Sequence, residues 1–541
     1  MNTSTRREFL TTASLAAAGT LLPPRVLAAR SVSSHTSRAA QAFLPELQPP
    51  SLLHALAARA MDVAHDAGIS YADIRIAEQH ALEPGAQQTW LSSQLTYGIR
   101  ALASGAWGFA YGRGVDPDAV ARCAREAVRS AKTAARLSGG GDDPERAWTP
   151  PPVATGEWRI PVEIDPFTVP LQQQAELNEG VNSLLLNRIP DVRMPGGLSM
   201  RWTRETRIFA STAGSQLTQH LMRGKIDGGF NVQYGQYGVA ITLPDLGWTS
   251  RGYEACLIPN LIERFDTAID EAVWLAHLPY GTLDVGRYPL VVDGHAMGAV
   301  LTGVLGPALE LDRVLGDEVD ASGGSRFTLD LLGTSVASPL LTLTGHRNVP
   351  EIQAVQWDDD GAVPQPHTVI ENGVLTDYHT SGSTVSALAD WYRQQNRPLQ
   401  SNGCASVTDP QMAVMVQSPH LSMQPGVTRA SVADLYRNLQ HGLVLLNDAG
   451  VSPDQELSSG SFSWAPMCFE VQRGKLVRRI LGNVAQFNTR TFFKGLTAVG
   501  DVSTVCRKNA TQSKGYPWQE SLLSATAPAA LFKEVNVMGM R

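Results

Sequence analysis

The sequence predicts an α+β protein, with an N-terminal α/β domain on an antiparallel sheet and a C-terminal β-rich, sandwich- or barrel-like domain. Three observations lead there. The first half reads helix, strands, two helices, strands, helix, an order that layers helices against an antiparallel sheet. Beyond Gly281 the pattern changes to short apolar or alternating runs divided by turn residues. The 48 Gly and 33 Pro supply the turns that such short strands require. A chain of 541 residues is also too long for one core. The expected divisions are a leader (1–28), a spacer (29–50), an N-terminal domain (51–278) and a C-terminal domain (279–541).

The leader comes first. Ser4-Thr5-Arg6-Arg7-Glu8-Phe9-Leu10 carries the twin-arginine pair, Arg6 and Arg7. A mild apolar run from Thr11 to Leu22 follows, and Val26-Leu27-Ala28 offers a small-residue cleavage site. The run is too short to span a bilayer, so no stable membrane insertion is expected. This predicts Tat-dependent export to the periplasm, with folding and partner binding completed before export. The net charge of −7 falls to about −9 once Arg6, Arg7, Arg25 and Glu8 are removed. It is spread without long runs, which argues against a nucleic-acid surface.

Each element has its own signal. Ser51–Ala67 places Leu52, Leu53, Leu56, Ala60, Val63 and Ala67 at helical spacing, and Gly68 stops it. Tyr71–Glu78 alternates as a strand. Gln94–Ala103 and Ala106–Tyr111 read as strands joined at Ser104-Gly105. Asp116-Pro117 opens a helix to about Ala135. Residues 138–160 read as a surface loop, and Val169–Leu186 as a third helix. Strands are expected at Leu198–Thr203, Thr206–Ser211 and Gln216–Tyr234, with a hairpin through Thr212-Ala213-Gly214. A long helix from Tyr253 to about Ala276 ends at a domain boundary near Leu278–Thr282. In the second half, helices are expected after Gly298 and over Ser431–Asn447. Asn372-Gly373 and Arg473-Gly474 mark tight hairpins. Ser322-Gly323-Gly324-Ser325 reads as flexible linker.

Composition and pattern give no chemistry; local motifs do. Leu95–Arg100 with Gly105–Tyr111, then Val369–Leu375, Ser401-Asn402-Gly403, Leu457–Phe462, and Val499-Gly500-Asp501 with Val505-Cys506 follow one another in a characteristic order. Together they resemble the TldD/TldE (PmbA) family of metallopeptidases. Pro289–Asp312 resembles the strand and helix that carry that family's zinc motif, H-E-x-x-x-H. The first His falls on Thr302, the Glu on Gly303 and the second His on Pro307. The resemblance implies subunits that pair around a closed chamber admitting unfolded peptides, and it sets Cys506 at the position of a third zinc ligand.

A peptidase zinc needs about three protein ligands, an open position for water and a nearby base. Thr302 offers a neutral hydroxyl; Gly303 and Pro307 offer no side-chain donor. Residues five apart on an α-helix lie roughly 140° apart around its axis, so the motif needs a local irregularity. Pro307 cannot donate to Gly303, which predicts a kinked or broken helix across 303–307. Cys506 reads either as a ligand or as a small, partly buried residue without a role. His295, Glu310, Asp312, Asp358-Asp359-Asp360, His367 and His379 are the other residues that a rebuilt metal site would draw on. The three aspartates read as a solvated turn, His367 and His379 flank a hairpin, and no His pair has ligand spacing. Cys123, Cys256, Cys404, Cys468 and Cys506 include no C-x-x-C pair.

The sequence therefore points to a TldE-like subunit without a cofactor of its own, paired with a zinc-bearing TldD-like chain that processes peptides. Two alternatives stand beside it. One is an active zinc peptidase with substituted ligands, including Cys506 and His295. The other is a non-catalytic, peptide-binding homodimer.

Overall fold

A computed structural model describes residues 46–84, 89–137, 147–188, 197–234, 237–243, 246–318, 323–447, 450–463 and 467–539. The leader with Arg6 and Arg7, most of the 29–50 spacer and Gly139–Gly141 lie outside the described residues.

The first half is one eight-stranded sheet. Its strands run in the order Ala106–Arg113, Trp90–Ala103, Tyr71–Glu83, Gly197–Ser211, Gln216–Tyr234 and Thr155–Arg159. All pairings along that path are antiparallel except the last. Helices Pro50–Asp66 and Pro117–Leu137 cover one end of the sheet, and Leu171–Arg188 and Leu261–Ala276 the other. The alanine face of Pro117–Leu137 explains the closeness of its packing. Ala124, Ala127 and Ala131 are fully buried, and a Cβ on Gly108 would sit 2.2 Å from the Ala127 carbonyl oxygen. Only small residues on both surfaces let helix and strand approach so closely.

Four expectations in or near this half need correction. Leu198–Thr203 and Thr206–Ser211 form a single strand, Gly197–Ser211, because Glu205 is bound by arginines rather than exposed in a turn. The helix from Tyr253 splits into a short 3-10 turn, Tyr253–Cys256, and a helix from Leu261. Pro259 and the left-handed Asn260 (φ 56°) interrupt it. Within 138–160, Thr155–Arg159 is a strand, held by Gln216–Tyr234 alongside. Tyr71–Glu83 does not alternate in burial, because both of its faces are covered.

The second half holds a ten-stranded and a six-stranded sheet. Gly286–Val292 lies between parallel His441–Leu445 and antiparallel Ala530–Gly539. The expected helix over Ser431–Asn447 is confined to Val432–Tyr436. Leu443, Val444 and Leu445 are fully buried in a central strand, where an apolar run satisfies both sheet faces. The three tight turns form as expected, with paired positive φ at Ser104-Gly105, Asn372-Gly373 and Arg473-Gly474. Gly323 is not flexible linker: it is buried, and its carbonyl accepts from Arg313 Nη1 at 2.7 Å. Ser325 likewise donates to the Ala308 carbonyl at 2.6 Å.

The two halves are keyed together by the segment read as a solvated turn. Asp358, Asp359 and Asp360 are all at least nine-tenths buried. Asp360 takes Arg100 Nη2 at 2.8 Å, and Asp359 takes Arg207 Nη1 at 3.1 and 3.2 Å. Arg100 also holds Asp73, and Arg207 also holds Glu205. Buried charge is tolerated when each ion is paired and hydrogen-bonded, which explains why Asp73 and Arg75 sit inside a strand. Burial, reinforced by the Asp360 carboxylate, pushes the Asp358 carboxyl well above its usual range.

Candidate functional site

The motif helix begins at Gly294. Asp293 caps it, accepting from the Ala296 N–H at 2.8 Å and from the Asn447 N–H at 2.7 Å. Burial raises the Asp293 carboxyl to about 6, and the backbone N–H groups hold it back from rising further. The helix is α-helical over Gly294–Val300, π-helical over Leu301–Leu305 and α-helical again over Gly306–Ala308. The Gly306 N–H bonds to the Leu301 carbonyl, an i→i+5 turn. This corrects the expected kink or break. The helix stays wound, and Pro307 is accommodated just past a widened turn. An i→i+5 turn widens the helix locally, which brings positions 302 and 307 nearer to one face than a regular α-helix does.

The side chains at those positions do not fit a metal. The Thr302 hydroxyl donates to the Gly298 carbonyl of its own helix at 2.9 Å. Gly303 and Pro307 carry no donor. His295 is buried in the first turn of the helix. Gly294 packs beside it, so close to the next segment that a Cβ there would lie 2.8 Å from the Cys506 backbone nitrogen. Cys506 is partly buried, and its thiol makes a 3.7 Å contact with the Thr504 carbonyl. Among the described residues, one group of three or more potential ligands converges, and neither Cys506 nor His295 belongs to it.

Glu310 and Asp312, just beyond the helix, are also taken. Lys514 Nζ lies 2.8 Å from Glu310 Oε2 and from both Asp312 oxygens. Arg313 Nε completes Glu310 at 2.8 Å, and the Ser418 and Val416 N–H groups bond to Glu310 and Asp312. These carboxylates brace the helix end and are not available to a metal.

The group that does converge is His367, His379 and Cys404, all buried, with ligand atoms within 4.8 Å of one another. His367 Nε2 and His379 Nδ1 are 2.9 Å apart. This corrects the reading that no His pair has ligand spacing. That rule counts along a helix, whereas His367 and His379 stand at the two ends of a hairpin turning at Asn372-Gly373. Both lie six residues from Gly373, a signal the sequence did contain. Cys404 was missed as their neighbour. It arrives on the loop after Gly403, whose positive φ (78°) and 2.5 Å approach of a would-be Cβ to Pro364 Cα require glycine. Burial lowers both imidazole pKa values, keeping the rings neutral, and raises that of the Cys404 thiol.

An open groove borders the motif helix. Thr302, Gly303, Val451, Ala510, Gln512 and Trp518 are among the residues lining a cavity of about 360 Å³. The strand Cys506–Lys514 forms the edge of the six-stranded sheet. A second cavity of about 490 Å³ reaches Arg507 and Asn509 on the same strand.

Residues 285–539 match the PmbA/TldA metallopeptidase C-terminal domain. A metalloprotease TldD homolog of Buchnera aphidicola (subsp. Acyrthosiphon pisum) is 24% identical over 246 residues, covering 45% of this chain and 46% of the relative. A metalloprotease of Archaeoglobus fulgidus is 23% identical over 305 residues, covering 54% and 61%. The chain thus spans about half to three-fifths of the length of these relatives. The crystal structure of TldE from Thermococcus kodakarensis aligns with TM-score 0.62 and 14% identity, over 90% of this chain and 100% of that one. A Thermotoga maritima protein described as a candidate modulator of a DNA gyrase aligns with TM-score 0.63 and 16% identity, over 90% and 100%. The sequence matches liken residues 285–539 to the C-terminal domain of that metallopeptidase family; the structural matches show a shared fold. No helix among the described residues is long and apolar enough to cross a membrane.

Proposed function

We propose that this chain is a TldE-like subunit of an exported peptide-processing peptidase, lacking the catalytic zinc and pairing with a TldD-like chain that carries it. The observation that carries this reading is the motif helix. It keeps the i→i+5 turn that brings two ligand positions nearer to one face, yet fills them with a self-satisfied hydroxyl at Thr302 and a pyrrolidine ring at Pro307. Zinc chemistry would then belong to the partner, and no step is assigned to zinc on this helix. The groove beside Thr302 and the free edge of Cys506–Lys514 suit an extended peptide, which pairs through its backbone with an exposed strand. The twin-arginine leader supports Tat export of the folded protein, alone or already paired.

The test is to assay peptide cleavage by the mature chain alone and with a TldD-like partner bearing an intact H-E-x-x-x-H. Cleavage should require the partner. Cleavage by the lone chain that disappears in Cys506→Ala would overturn the reading in favour of a peptidase with substituted ligands. Peptide binding without turnover, unchanged by any partner, would favour the homodimeric binder instead.

A further inference from the structure

We propose that His367, His379 and Cys404 form a structural metal site for a thiophilic first-row ion, Zn(II) by the character of the donors. The site departs from the sequence expectation of a chain without metal, and it is independent of the motif helix.

Two neutral imidazoles and a thiol are a borderline-soft set, which suits Zn(II). Their positions are fixed by backbone rather than by chance packing. His367 opens the strand His367–Glu371. His379 is tied on both sides to the segment after the motif helix: its N–H donates to the Leu309 carbonyl at 2.9 Å, and its carbonyl accepts from the Leu311 N–H at 3.0 Å. The Cys404 N–H donates to the Thr380 carbonyl at 3.0 Å, and the Asn402 side chain bridges Thr380 N–H and the Tyr378 carbonyl. Three separate segments therefore deliver one donor each to one point.

The hydrogen bonding around the rings points to a ligand as well. His367 Nδ1 lies 2.9 Å from the Gln365 carbonyl, an acceptor only, so Nδ1 carries the proton and Nε2 presents its lone pair. Orientation of a ligating imidazole by a carbonyl behind it is the usual outer-shell arrangement at a metal. His379 is fully buried, and its Nε2 has no hydrogen-bond partner among the described residues. Its other nitrogen, Nδ1, faces His367 Nε2, so these two nitrogens and the Cys404 thiol are the donors an ion between the three segments would meet. The two rings, 2.9 Å apart at their nearest nitrogens, open by a few tenths of an ångström to meet tetrahedral angles at roughly 2.0–2.3 Å bonds. Cys404 loses its proton to solvent as the thiolate–metal bond forms.

An ion here ties the hairpin 367–379 to the 402–404 loop, directly behind the end of the motif helix. Its three donors are buried and none of them lines the groove beside Thr302.

The experiment uses the full mature chain, produced with zinc, dialysed and analysed for metal content, with a parallel Co(II)-substituted sample. About one equivalent of zinc per chain is expected, with a thiolate-to-Co(II) charge-transfer band. Cys404→Ser and His379→Gln should lower the retained metal at least about tenfold, while Cys506→Ser leaves it unchanged. Substoichiometric zinc with no thiolate band in the wild-type protein overturns the proposal, even if the variants fail to fold. So does stoichiometric zinc that both variants retain. Zinc lost on replacing Cys506 instead would overturn the proposed function, so the two failures are distinguishable.

Discussion

The motif helix and the hairpin region of residues 351–404 make opposite use of their residues. The helix announces itself in sequence through Gly303, Gly306 and Pro307, keeps the unusual backbone and offers no metal donor. The hairpin region reads in sequence as a solvated turn and a hairpin flanked by two unpaired histidines, yet it buries three aspartates, two imidazoles and a thiol. Backbone irregularity leaves a local trace because only a few residue types permit it. Side chains that converge from distant segments leave almost none, since their spacing is set by the fold.

Breaking the ion lock should give the largest effect in this contrast. Asp360→Ala removes the partner of Arg100 and the acceptor of the Gly382 N–H. A loss of about 3–5 kcal/mol is expected, read as a lowered urea midpoint at constant m. If the loss is below about 1 kcal/mol, the segment is no more than the solvated turn the sequence suggested.

Acid should weaken the same lock. Burial alone would raise the Glu205 carboxyl, but Arg207 and Arg223 overcome it and hold it at about 2 against an ordinary 4.5. The folded value is depressed, so this stabilisation is complete above pH 4.5 and is lost as pH falls through about 2. It is on the order of 3 kcal/mol. Glu205→Gln should flatten the stability–pH curve in that window, and an unchanged curve would remove Glu205 from the network.

Within the motif helix, two glycines should differ. A Cβ at Gly306 would lie 2.6 Å from Ser418 Oγ and 2.7 Å from Leu421 Cδ1, so Gly306→Ala should cost about 1–3 kcal/mol. At Gly303 the nearest atom is 3.7 Å away, so Gly303→Ala should be neutral or stabilising by up to about 1 kcal/mol. Thermal midpoints compare the pair. Equal destabilisation would mean that the widened turn itself, rather than packing against Ser418, requires glycine.

The effect at Thr302 is also small. Thr302→Val removes one hydroxyl bond to the same helix and should cost roughly 1 kcal/mol, leaving cleavage by the paired complex unchanged. A lost activity at preserved stability would place the hydroxyl in the chemistry.

Legibility in the sequence followed the range of the forces involved. Helices such as Pro117–Leu137 and the turns at Ser104-Gly105 and Asn372-Gly373 were readable, because periodicity and φ preference act within a few residues. The strand His441–Leu445 was mistaken for helix, since an apolar run buried on both faces has no period to read. Thr302, Gly303 and Pro307 were located by resemblance, and their inability to ligate followed from chemistry. The pairing of His367 with His379 was recoverable from the hairpin. Cys404 joins them through a loop-to-loop contact, and Asp359 meets Arg207 through a contact between the two halves; no local rule reports either.

The arginines that grip Asp359 and Asp360 are made long before their partners. Between Arg207 and Asp360 the ribosome adds 153 residues, roughly 8–30 s at ordinary elongation rates. During that interval Arg100 and Arg207 have only their first-half partners, Asp73 and Glu205, and the lock between the halves waits for Asp359 and Asp360.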